Sequence, residues 1–79
     1  MRIYDPHSKR TLSNVTLFLT SEEAAELGSS ATDLSEHPEK HHQHVNDVEY
    51  RKEITIAVYT DENINSFDEE SRRVIQEHD

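Results

Sequence analysis

Seventy-nine residues carry a formal charge of −9, from 17 acidic and 8 basic side chains with the six His neutral. That balance opposes nucleic-acid phosphates and anionic lipid headgroups, which need clustered Lys or Arg, so direct nucleic-acid or membrane binding is not expected and a basic protein is the partner attracted from a distance. The absence of Cys excludes disulfide staples, thiolate nucleophiles and sulfur-rich zinc sites.

Arg2 to Asp5 suits a short extended segment, and Pro6 to Arg10 suits a turn that returns the chain as a hairpin. In the following stretch, Thr11 to Thr20, Val15, Leu17 and Leu19 alternate with Thr16, Phe18 and Thr20, the period of two that places one set on each face of a sheet. Thr20-Ser21-Glu22-Glu23 then has the form of a capping box: the Thr hydroxyl accepts the Glu23 N–H and the Glu23 carboxylate reaches back to the Thr20 N–H.

The helix that starts there runs to Glu36 or His37, before Pro38. At ~100° per residue, Ala24, Leu27, Gly28, Ala31 and Leu34 share its apolar side, with Glu22, Glu26 and Asp33 in a ~40° band opposite. Pro38 to Val48 reads as a loop with room for one helical turn, and Tyr50 to Thr60 as a second long strand with Ile54, Ile56 and Val58 on one face. A helix between two strands implies a parallel pair joined by a right-handed crossover.

Ser66 to Glu69 offers a second capping box, after which Phe67, Ser71, Val74, Ile75 and His78 follow helical spacing. The expected fold is therefore α+β in the order ββαβα, a small three-stranded mixed sheet with two helices on one face, forming one domain over residues 1–79. A chain this short buries only about 60% of its unfolded surface, which leaves room for one thin core. The start, Met1 to Pro6, lacks the apolar stretch of a secretory signal, and no apolar run approaches the ~20 residues that span a bilayer, so a cytoplasmic protein is expected.

The two helices treat charge differently. In the second, Asp68 precedes Arg72 and Glu69 precedes Arg73 by four residues, favourable pairings along one face. In the first, Glu22 and Glu26 are a like-charged pair at that spacing, Asp33 and Glu36 continue the acidity, and no Lys or Arg accompanies them. Two readings stand side by side: a solvated face whose leading Glu residues complement the helix dipole, or a docking face for a basic partner.

His37, His41, His42 and His44 form the other concentration of chemistry. If helical, His37, His41 and His44 align; if extended, His42 and His44 share a face, and either arrangement suits zinc or nickel with Glu39 or Asp47 as oxygen ligand. A surface polar loop and a pH-responsive loop are the competing readings. His42 or His44 oriented by Asp47 has the makings of a general base, but no nucleophile accompanies it, and a single glycine, Gly28, excludes a phosphate-cradling loop or a nucleophile elbow.

Phe18 and Tyr59 fall on the sheet face opposite the aliphatic set, with Thr16, Thr55 and Ala57. That face is available for a partner or a homodimer unless Tyr4, the first hairpin or the His-rich loop folds over it. Taken together, the residues lead to the expectation of a small acidic, non-catalytic protein-binding module of the inhibitor, antitoxin or immunity-protein type. It would use Glu22, Glu26, Asp33 and Glu36, with no cofactor. The alternative is a metal-binding or regulatory protein acting through its His loop.

Overall fold

The turn that follows Asp5 closes as the sequence leads one to expect. In the computed structural model, which describes residues 1–77, β1 (Ile3–Asp5) pairs antiparallel with β2 (Arg10–Leu12), Ile3 opposite Leu12. Asp5 organises the reversal, its carboxylate accepting from the His7 N–H and the Ser8 hydroxyl. The strand ends at Leu12, however, and Ser13 to Thr20, the stretch with the plainest alternation in the chain, has no regular secondary structure.

Helix α1 (Ser21–Glu36) begins with the expected capping box: the Thr20 hydroxyl accepts from the Glu23 N–H at 3.1 Å, and the Glu23 carboxylate accepts from the Thr20 N–H at 2.9 Å. Its inward face differs from the apolar stripe. Leu34 and Ser30 are buried and Glu23, Leu27 and Asp33 are half-buried, while Ala24, Gly28 and Ala31 are exposed. The helix is thus turned by roughly 80° from the orientation that periodicity gives, because it packs through Ser30 and Leu34 with the polar flank of Asp33 hydrogen-bonded to its neighbours.

One 3₁₀ turn, Pro38–Lys40, links α1 to a strand where a loop was expected. β3 (His42–Asn46) pairs antiparallel with β4 (Glu53–Ala57), His44 opposite Thr55 and Val45 opposite Ile54. Asp47 closes the connecting turn: its N–H donates to the Lys52 carbonyl and its carboxylate accepts from the backbone N–H groups of Arg51 and Lys52. Tyr50, read from sequence as strand, lies in this turn with φ of 56°.

The three-stranded mixed sheet and the order ββαβα therefore give way to ββαββα, with two separate two-stranded antiparallel sheets. A hairpin closed by a short turn costs less loop entropy than a parallel crossover around a 16-residue helix, so β4 pairs with its neighbour in sequence.

The last element, α2 (Glu69–Gln76), starts two residues later than the second capping box implies. Asp68 caps it, accepting from the Ser71 N–H, while Ser66 ends a 3₁₀ turn at Ile64–Ser66. Among the described residues neither expected charge pair forms an ion pair: Asp68 is spent on the cap and Arg72 donates to the Phe67 carbonyl. The assignment of His78 to this helix lies outside the described residues.

The two helices also lie on opposite faces of the second sheet. α1 packs on the side of Gln43 and Val45, whereas α2 residues Glu70 and Val74 face Thr55, Ala57 and Tyr59 across a cleft of about 460 Å³ shared with Tyr4. The buried apolar core among the described residues is Leu34, Val45, Phe67 and Val74. Polar contacts tie the first hairpin to α2: the Arg2 guanidinium donates to the carbonyls of Val74 and Glu77, and the Tyr4 hydroxyl donates to Glu70 at 2.9 Å. Asn63 performs a similar task near β4, donating from its amide to the carbonyls of Pro38 and Val58 and accepting from the Thr60 N–H.

Candidate functional site

The acidic residues of α1 separate into two groups once their surroundings are known. Glu22, Glu26 and Glu36 are exposed and form no ion pair among the described residues. Asp33 is drawn back from solvent: the Lys40 ammonium binds its carboxylate at 2.8 and 3.0 Å, and the Gln43 amide donates to it at 2.6 Å. The hydrogen bond from Lys40, then that from Gln43, holds the Asp33 carboxyl below its ordinary value because both favour the charged form. Glu23 is likewise occupied, by the cap and by the Val48 N–H at 3.2 Å.

What remains is a narrower ridge than periodicity alone suggests. Glu22, Glu26 and Glu36 lie within ~80° of one another around the axis and extend over ~21 Å of helix. The sequence contained a sign of this trimming, since Lys40 is the only Lys or Arg between Arg10 and Arg51 and follows Asp33 closely. Gln43 carried no such sign, because its reach depends on β3 forming beside the helix.

The imidazoles are distributed among different tasks. His37 faces Glu39 at 3.2 Å, whereas the Nδ1 atoms of His41 and His42 are 2.8 Å apart, so one ring must donate and the other accept. His41 has φ of 79° and stacks on Phe67 with ring centroids 3.7 Å apart. That stacking joins the His segment to the core.

His42 and His44 point from the same exposed face of β3, their rings 5.1 Å apart, and His44 is held by Thr55 at 2.8 Å and Glu53 at 3.1 Å. Among the described residues no three His, Asp or Glu side chains are grouped to hold a metal ion. Asp47, the other candidate ligand and the orienting partner of a general base, has its carboxylate committed to the backbone of its own turn, which lowers its pKa through those N–H groups.

Phe18 and Tyr59 do not share a surface, because the segment bearing Phe18 never joins the sheet. Phe18 is 94% exposed beside a cleft of about 470 Å³ between Thr16–Leu19 and the ends of β3 and β4, while Tyr59 lines the separate cleft under Tyr4 and α2. No helix of the described residues is long and apolar enough to cross a membrane. Comparison of the chain with models of protein families, with curated proteins and with solved structures finds no match.

Proposed function

We propose that this chain is a non-catalytic protein-binding module that presents Glu22, Glu26 and Glu36 to a basic surface on another protein, in the manner of an inhibitor, antitoxin or immunity protein. One observation carries the reading: these three carboxylates are exposed on a helix that has no Lys or Arg, and none has a counter-charge among the described residues. Asp33, with Lys40 on it, is left out of the contact set. Several unpaired charges of one sign along one ridge accelerate encounter with an opposite patch, and salt screens that attraction over about 8 Å at physiological ionic strength.

The test uses the intact chain as bait in extract from its host, followed by calorimetry with the purified partner. Replacing Glu22, Glu26 and Glu36 together by Gln is expected to weaken binding at least tenfold and to flatten its salt dependence, whereas Asp33→Asn leaves both nearly unchanged. A partner that binds the triple variant with undiminished affinity overturns the proposal.

A further inference from the structure

The segment between β2 and α1 is at odds with its own sequence. Thr11 to Ser21 contains no ionisable side chain, in a chain of which 32% is charged, and Val15-Thr16-Leu17-Phe18-Leu19-Thr20 is rich in the β-branched, aromatic and aliphatic residues that favour strands. Yet Asn14 to Leu19 form no backbone hydrogen bond among the described residues. Val15, Leu17 and Phe18 are 55%, 47% and 94% exposed. A run of free N–H and C=O groups carrying alternating apolar side chains is a template for another strand.

We infer that this segment pairs with the same segment of a second copy, forming a two-fold antiparallel ladder centred on Leu17. Two observations select a second copy over a different protein. First, the alternation is self-complementary whenever odd positions lie opposite odd ones, and the register centred on Leu17 is the one that pairs the whole of Val15 to Leu19. With Leu17 opposite Leu17 of the other copy, Val15 falls opposite Leu19 on one face, where aliphatic side chains meet, and Thr16 falls opposite Phe18 on the other, a β-branched residue against an aromatic one.

Second, the flanks carry opposite charge, Lys9 and Arg10 before the segment and Glu22 and Glu23 after it. Antiparallel pairing brings the basic end of each copy toward the acidic end of the other, whereas a parallel pair sets like charges together. Arg10 and Glu22 are free for this, since neither side chain has a hydrogen bond or ion pair among the described residues. An isologous contact of this kind uses the same edge on both copies and closes as a dimer. It draws on Glu22, one of the three carboxylates proposed above for a basic partner, and leaves Glu26 and Glu36 outside the dimer contact.

Sedimentation velocity on the full chain, from about 5 to about 500 µM, is expected to show a reversible shift from the 9.2 kDa monomer to a dimer, with dissociation on the order of micromolar. Leu17→Lys, which sets two cations across the axis, is expected to hold the protein monomeric throughout, with an unchanged circular dichroism spectrum because Leu17 is half exposed. The chain has no Cys, so register is read directly by disulfide formation. Leu17→Cys cross-links to itself, while Val15→Cys cross-links with Leu19→Cys in a mixture and not with itself. A chain that stays monomeric over this range, a dimer indifferent to Leu17→Lys, or cross-linking in a different register overturns the inference.

Discussion

Replacing Gly28 by Ala tests how α1 is turned about its axis. Helical periodicity groups Gly28 with the apolar side, where added atoms would press on the core. In the structure a Cβ at this position has nothing within 4 Å, and the backbone is already helical. The methyl therefore meets no steric cost, and the substitution recovers the difference in helix propensity, about 0.8–1.0 kcal/mol, much of it from the smaller freedom of the unfolded chain. Against a total of about 4–12 kcal/mol for a domain of this length, that is a substantial fraction.

Thermal unfolding followed at 222 nm should show it as a rise in Tm of about 4–8 °C, the shift that about 1 kcal/mol produces at this size. Gly28→Gln separates orientation from propensity. On an exposed face it also stabilises, by a few tenths less than Ala, whereas against the core it buries an amide and lowers Tm. A fall in Tm for Gln, or no gain for Ala, refutes the orientation of α1 described above.

Two further outcomes follow from the polar contacts. Asn63→Ala removes three side-chain hydrogen bonds at half-buried positions and leaves the Pro38 and Val58 carbonyls without that donor, a loss of about 3 kcal/mol at about 1 kcal/mol per bond, measured as a lower urea midpoint with unchanged slope. Acid should also destabilise the fold. Asp5, Asp33, Asp47, Asp68 and Glu70 all have depressed pKa values in the folded chain, principally through hydrogen bonds from Ser8, from Lys40, from the Lys52 and Ser71 backbone N–H groups, and from Tyr4, respectively. The unfolded chain thus binds more protons below ordinary values of 3.8 and 4.5, so the stabilisation is present above about pH 5 and is lost as the pH falls through the folded values. Urea midpoints that do not fall between pH 5 and pH 3, or that fall equally in Asp33→Asn, count against the Asp33 contacts.

What was legible in the sequence was what neighbouring residues decide. The cap at Thr20 and Glu23 needs only its own four residues, and the turn after Asp5 needs only the carboxylate and the N–H groups that follow it. The stop before Pro38 is equally local. β3 was hidden because its outward positions are His42 and His44 and its one buried apolar residue is Val45, so the alternation carries almost no hydropathy contrast.

The second helix cap was misplaced because Ser66 and Asp68 are both good capping residues two positions apart, and only the 3₁₀ turn at Ile64–Ser66 decides between them. The acidic ridge was legible in outline. Its trimming at Asp33 was not, since that depends on Gln43 arriving from a strand that the pattern did not reveal. Phe18 and Tyr59 were paired on the premise that both strong alternations share one sheet, and the hairpin of β3 and β4 removes that premise.

Arg2 reaches the carbonyls of Val74 and Glu77, and this fixes how the molecule meets mechanical load. A pull applied at residues 2 and 77 acts first across one guanidinium and peels α2 from the hairpin bond by bond, like a zipper. The ladder between β3 and β4, whose two chain ends leave from the paired residues His42 and Ala57 and which therefore also opens one bond at a time, feels tension only after that seam has opened.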